Sequence, residues 1–396
     1  MINDQEYITT KLKKTLEKMI ILSAPRLNNL IAMVIGIICS QSVVLSKISQ
    51  ELKDNYSLGT EESKIKRLQR FLSNEAINPE KLYEFFTYKL LQKYKFKSKS
   101  IYIIFDHTTI DDRFVILQFS LKIGKRAVPL WFKLFKYKQD GNKDFIHVKE
   151  GLTFLHKVLK PYEFDVTILA DRGFKSIDLF KFIDEELKWK YCIRCTKDLS
   201  IFIDGKNKIK KLDDILPRKC GSKHFYNIKL TSQKYICNMA ICKSLDAEDT
   251  WFIANNLSEP YAIREYKKRF DIEEMFKDFK STGFNLEDTW SNNIHYAKML
   301  YFCVCIAYTY IISLGISCSK DKKNKLLGSI KNINGNKVRI YSLFTTGMKW
   351  FKRCYYSCRK KYYLKTCFTL YSNWYIFLHW QVIYSNNRNL CLLFYT

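Results

Sequence analysis

Three carboxylates stand where chemistry could be done. Asp106 follows the four apolar residues 102–105, and Asp171 follows the stretch 166–170, so each is expected at the C-terminal end of a β-strand. That edge of an α/β sheet is where polar sites collect. The third, Glu273, lies in a helix expected over residues 258–281, with Ser258 as N-cap, Pro260 in the first turn and Gly283 just past the end. At about 100° per residue, Tyr266, Arg269, Glu273, Lys277 and Lys280 fall within an arc of roughly 80°. One carboxylate therefore sits in a row of cations and a phenol. Salt bridging at i,i+4 accounts for Arg269 with Glu273 and for Glu273 with Lys277, but not for Tyr266 or Lys280. Carboxylate oxygens are the ligands that hard divalent cations take. Glu274 is the rival to Glu273, about 100° off that face, and Asp111 and Asp112, in an expected turn, are rivals to Asp106.

The elements that must position these groups follow from apolar periodicity. Residues 1–98 read as a helical module with helices at 6–22, 27–52, 62–73 and 79–94. The third places Lys64, Lys66, Arg67 and Arg70 around an apolar seam and could lie along DNA. From residue 99 the period becomes that of strands, 101–105, 114–121 and 127–135, then a helix at 147–159, a strand at 166–170, a helix at 176–186 and a strand at 189–196. The order β-β-β-α-β-α-β describes an α/β fold with a mixed five-stranded sheet covered by helices, the order of ribonuclease-H-like domains. Residues 198–255 interrupt it as a β-rich insertion with short strands at 200–204, 224–230, 235–242 and 251–254. The domain division is then 1–98 (helical, DNA-binding), 99–197 (catalytic, first part), 198–255 (insertion), 256–345 (catalytic, second part) and 346–396 (a basic, then aromatic tail).

Tyr266-x2-Arg269-x3-Glu273-x6-Lys280 resembles, without a gap, the Y-x2-R-x3-E-x6-K signature of DDE transposases of the insertion-sequence four family. Asp171-Arg-Gly-Phe174 looks like the second-aspartate motif of that family, and Phe105-Asp106-His-Thr108 like the first; the similarity covers roughly residues 30–345. The resemblance implies cut-and-paste transposition of an insertion sequence, with binding of terminal inverted repeats, strand cleavage that can pass through a DNA hairpin, and strand transfer. Phosphodiester chemistry of this kind suits two Mg²⁺ ions about 3.5–4 Å apart, for which Mn²⁺ substitutes. Asp106, Asp171 and Glu273 are the expected catalytic metal ligands, with Asp106 as the bridge. Tyr266, Arg269, Lys277 and Lys280 are expected to hold backbone phosphates, which positions a strand without reading its sequence. Trp251 stands where relatives place a tryptophan that receives a flipped base; a core tryptophan on a strand is the alternative. The implied partners are double-stranded DNA, as terminal repeats and target, and a second copy of the chain in the synaptic complex.

The 67 Lys and Arg against 39 Asp and Glu leave +28, which by itself points to a polyanion partner. Neither Gly124-Lys125 nor Gly205-Lys206 has the glycine five residues earlier that a phosphate-cradling loop needs. The 13 scattered cysteines read as reduced, cytosolic thiols, in keeping with the prokaryotic, nucleoid-associated localisation that the resemblance implies, and Cys192 and Cys195, three apart on a strand, point to opposite faces. His107, without a His-x-Glu partner, is read as incidental. The apolar run 299–319 could span a bilayer by length. It follows an amphipathic helix directly and is read as a core helix, with no membrane partner. Between Lys320 and Lys365, 14 Lys and Arg face only Asp321, whereas the last 30 residues carry a single charge, Arg388. That ending departs from the family's pattern, so a catalytically inactive remnant that only binds DNA is the second reading.

Overall fold

The computed structural model describes residues 4–52, 59–92, 99–136, 144–202, 210–217, 221–243, 250–320, 327, 330–333 and 336–356. Five helices come first: α1 (Asp4–Leu16), α2 (Ala24–Ser40), α3 (Leu45–Glu51), α4 (Glu61–Leu72) and α5 (Pro79–Gln92). Strands β1 (Ser100–Ile110), β2 (Phe114–Ile123) and β3 (Arg126–Lys136) form a meander. Helix α6 (Asp144–Leu159) leads to β4 (Asp165–Ala170), and α7 (Ile177–Lys181), prolonged by a π-helical turn, leads to β5 (Lys190–Cys195). Then come β6 (Ser200–Phe202), β7 (Lys210–Lys211), β8 (Gly221–Leu230), β9 (Tyr235–Lys243) and β10 (Trp251–Asn255). The chain goes on through α8 (Ala262–Tyr266), α9 (Asp271–Phe279), α10 (Ile294–Lys320), the hairpin β11 (Ile330–Ile333) with β12 (Asn336–Arg339), and α11 (Leu343–Tyr355).

The first ten strands make one mixed sheet in the order β3-β2-β1-β4-β5-β10-β9-β8-β6-β7. Strands β1, β4 and β5 run parallel and the other neighbours antiparallel. The half from β3 to β5 has the meander-then-crossover order expected from the sequence, and the mixed α/β architecture is consistent with a ribonuclease-H-like fold. The strands of residues 198–255 extend the same sheet beyond β5 by pairing β10 with it.

Helix α6 covers one face, where Gly151 lies so close to Phe119 and Trp131 that a Cβ there would meet their rings at 2.7 and 2.9 Å. On the other face Tyr301 of α10 donates to Gln118 of β2 (2.8 Å), and Ser120 of β2 contacts the Met275 sulfur of α9 (3.6 Å). The helices of the first hundred residues join this core: Tyr83 and Thr87 of α5 donate to the Pro129 and Leu130 carbonyls of β3 at 2.9 and 2.6 Å. Helix α10 is long and apolar enough to cross a membrane by length and composition, yet its apolar window is entirely buried inside the protein.

The helix expected over 6–22 ends at Leu16 and the expected five-stranded sheet has ten strands, and three further elements differ from their sequence expectation. The helix expected over 27–52 is two helices bent by 95°. Ser40 and Ser42 hydroxyls accept from the Ser42 and Val44 N–H groups there, and Gln41 takes a left-handed φ of 52°. Such side chains offer the backbone an alternative to helical bonding. The helix expected over 258–281 starts at Ala262 and is interrupted by a 3₁₀ stretch, Lys267–Phe270, before α9. Strand β1 runs past Asp106 to Ile110, because residues 107–110 keep pairing with β2.

Candidate active site

The two aspartates are brought together by sheet register. Strand β1 pairs in parallel with β4 up to the rung Phe105 with Ala170; Asp106 is the next residue on β1 and Asp171 the first past the end of β4. Neighbouring strands lie about 4.8 Å apart, so the aspartates leave the sheet side by side and on one face. His107, one residue on, must point to the opposite face. Its ring packs 4.8 Å from that of Phe174, away from the carboxylates, while its backbone N–H donates to Asp106 Oδ1 at 2.8 Å.

The broken helix supplies the remaining groups. The Tyr266 hydroxyl, at the end of α8, donates to Asp171 Oδ1 at 3.1 Å. Arg269, in the 3₁₀ stretch, donates from Nη1 to Asp106 Oδ2 at 2.9 Å and from Nη2 to Glu273 Oε1 on α9. Its side chain is only 5% exposed, against 43% for that of Glu273. A tightened turn inside a helix often marks a functional position, and here it carries Arg269 onto two carboxylates. Burial pushes the Asp106 carboxyl up to about 6; Arg269 and the His107 N–H pull it down, and the like charges of Asp171 and Glu273 add to the rise. Burial likewise raises the Tyr266 phenol, which stays protonated and able to donate.

The structure therefore gathers Asp106, Asp171, Glu273, Tyr266 and Arg269. Trp251 joins them indirectly: half-buried at the start of β10, its ring lies 5.4 Å from Tyr266 and 5.6 Å from Phe270. The two lysines are paired with other acids, Lys277 while still within electrostatic reach of Glu273 on the same helix, and Lys280 just past the end of α9. Lys277 Nζ meets Glu274 at 2.8 Å, and Lys280 Nζ meets Glu287 at 2.8 Å. Two of the rival acids are engaged elsewhere, Glu274 also with Arg126 (3.4 Å) and Asp111 with Arg113 (2.7 Å), and Asp112 is exposed in the turn after β1. On α4, Lys64 donates to the Leu52 carbonyl at 2.7 Å and Arg67 to Asn29 at 2.6 Å, which ties both into the helical packing; Arg70 is exposed.

Sequence reasoning passed over Arg194, which approaches Asp171 Oδ1 at 3.9 Å from β5 with 14% of its side chain exposed. An arginine between the buried Ile193 and Cys195 was the available signal. It also passed over two ion pairs that fasten α9 to the β2–β3 hairpin, Lys122 with Asp271 (3.2 Å) and Arg126 with Asp278 (2.7 Å). Those pairs join residues more than 140 positions apart, beyond any local pattern.

Three carboxylates are the kind of oxygen donor a hard divalent cation takes. Their present arrangement is filled by the Arg269 guanidinium, and among the described residues no group of three or more His, Cys, Asp or Glu side chains is set out to hold a metal ion. The buried Cys192 and Cys195 offer no alternative, since burial pushes both thiols far above their usual range.

Residues 148–310 match the family model described as the transposase DDE domain, and this match supports a DDE transposase. The matched span holds Asp171 and the segment from Tyr266 to Lys280; Asp106 lies upstream of it. Among solved structures, the X-ray crystal structure of Marinitoga piezophila Argonaute in complex with 5′ OH guide RNA and target DNA is 14% identical over 56% of this chain and 33% of that one, with a TM-score of 0.21. The chain thus spans about a third of that protein's length, and a likeness of this size says nothing about fold or function. No curated protein matches the chain.

Proposed function

We propose that the protein is a cut-and-paste transposase of the insertion-sequence four type, which binds the terminal inverted repeats of its element as a dimer, cleaves the DNA strands and joins the ends to target DNA. The observation that carries this reading is the convergence of Asp106 and Asp171 with Tyr266, Arg269 and Glu273, three of the four signature residues. Asp106, Asp171 and Glu273 are the proposed ligands of Mg²⁺ once the guanidinium has left. When bound, two such ions supply neutralisation of the attacking and leaving oxygens of a phosphodiester.

The chain's own residues do the rest. Tyr266 holds the Asp171 carboxylate in place through its hydroxyl, and Arg194 adds positive charge beside it. Arg269 and, after release from Glu287, Lys280 bind backbone phosphates, as does Lys277 at the exposed end of α9. Trp251 gives an aromatic face next to Tyr266 for an unstacked base, which would ease a hairpin step. Lys64, Arg67 and Arg70 on α4 are the proposed contacts to duplex DNA, with Arg70 the most accessible of the three.

The test uses duplexes carrying the inverted repeats that flank the reading frame. The wild-type chain is expected to nick them in Mg²⁺ and not in EDTA, whereas Asp171→Asn is expected to bind them and leave them intact. An Asp171→Asn protein that nicks at the wild-type rate would overturn the proposal. Binding of the ends by the wild-type chain with no metal-dependent nicking would favour the DNA-binding remnant, whose motivation, the aromatic ending 373–396, lies outside the described residues.

A further inference from the structure

Arg269 holds two of the three carboxylates that a divalent cation would need. Its Nη1 lies 2.9 Å from Asp106 Oδ2, its Nη2 is bonded to Glu273 Oε1, and Phe270 backs the guanidinium at 4.7 Å from its ring centre. The bonding is incomplete: the buried Nε–H has no acceptor among the described residues. An arginine cannot leave by losing its proton, because it stays charged throughout the accessible pH range. It can only be exchanged for another cation, and it then needs another anion to go to. The planar fork that now spans two carboxylates also matches a phosphate, which accepts two parallel N–H bonds.

We propose that Arg269 is an internal placeholder cation: it neutralises Asp106 and Glu273 while no DNA is bound, and passes to a backbone phosphate when DNA arrives, so that DNA binding and divalent-cation binding favour one another. This rests on the transposase reading of the same site and adds an order of events to it. Asp106 and Glu273 are shielded from one another until a substrate is present, and metal loading is favoured in the DNA-bound protein. Linkage makes the effect reciprocal, since whatever factor DNA adds to metal affinity, metal adds to DNA affinity.

The experiment measures Mn²⁺ affinity calorimetrically on the DNA-free chain, for the wild type, Arg269→Gln and Arg269→Lys. Removing the placeholder charge is expected to tighten Mn²⁺ binding by about tenfold in Arg269→Gln, within the range usual for coupled sites. Arg269→Lys keeps the charge but loses the fork and is expected to fall between. In the wild type, DNA affinity measured by fluorescence anisotropy at constant ionic strength is expected to rise with Ca²⁺, and that rise is expected to vanish in Arg269→Gln. If Arg269→Gln folds only with Mn²⁺, seen as a larger metal-induced rise in melting temperature than in the wild type, the proposal is supported. Equal Mn²⁺ affinity in the wild type and both variants overturns it. That result combined with intact Mg²⁺-dependent nicking removes only the placeholder role. Absence of Mn²⁺ binding in every variant, with no nicking, removes the transposase reading itself.

Discussion

The hydroxyl of Tyr266 reaches Asp171 from a ring that is fully buried beside Trp251 and Phe270, so the phenol holds the carboxylate's orientation without being free to move with it. A hydrogen bond to a charged group contributes about 1.5–3 kcal/mol. Tyr266→Phe keeps the ring packing and removes only that bond. It is expected to slow single-turnover nicking by about tenfold, equivalent to roughly 1.4 kcal/mol, with the melting temperature little changed; an unaltered rate would show that Tyr266 does not position Asp171. His107 provides the contrast. Strand alternation sends its ring to the opposite face, beside Phe174 and 6.4 Å from Phe135. His107→Phe is therefore expected to nick within a few-fold of the wild-type rate, and a loss comparable to that of Asp106→Asn would return the histidine to the chemistry. The second inference depends on parity along β1, whereas the sequence had set His107 aside only because it lacks a His-x-Glu partner.

At the scale of elements, the carboxylate on α9 is only as well placed as the helix beneath it. Asp271 at the first turn pairs with Lys122, and Asp278 near the last pairs with Arg126 and accepts from the Tyr308 hydroxyl at 3.2 Å. Between them Met275 meets Ser120. The β2–β3 hairpin thus holds α9 at both ends, with Glu273 on the side facing Asp106. Arg126→Ala leaves Asp278 buried without its counter-charge, a change that typically costs about 3–5 kcal/mol. Its melting temperature is expected to drop by several degrees, while Lys125→Ala, next to it and exposed, is expected to leave the melting temperature unchanged. Equal melting temperatures for the two variants would mean that the Arg126–Asp278 pair does not hold α9. The sequence made much of this region legible: the strands that carry Asp106 and lead to Asp171, and the helical row of Tyr266, Arg269 and Glu273, follow from periodicity, although β1 continues past Asp106 to Ile110. It did not reveal the 3₁₀ stretch Lys267–Phe270 or the bend at Gln41. Both are places where a side-chain bond or a distant partner outweighs local helix preference, and Arg269 sits where it does because of two carboxylates, one of them 163 residues away.

For the whole molecule, α10 is the axis on which the parts meet. It is buried throughout its apolar length, with β3 on one side, α2, α4 and α5 on others, and α11 closing the last. The contact with α11 is unusually close. A Cβ at Gly315 would meet the Leu343 carbonyl oxygen at 2.0 Å, and one at Gly347 would meet the Ile311 carbonyl oxygen at 2.0 Å. Neither obstacle is a flexible side chain that could swing aside, so the helices must separate. Overpacking of this kind costs about 1–3 kcal/mol. Gly315→Ala and Gly347→Ala are each expected to lower the melting temperature, and because α11 also stacks Phe344 on Tyr308, the partner of Asp278, either change should reach the site through α9. The double variant distinguishes a rigid-body separation from two local defects. Once the first Cβ has pushed α11 away from α10, the second finds room already made, so the combined loss measured by thermal unfolding is expected to be smaller than the sum of the two. Additive losses would instead mean that each glycine accommodates its own carbonyl independently, and that α11 does not move as one piece against the axis.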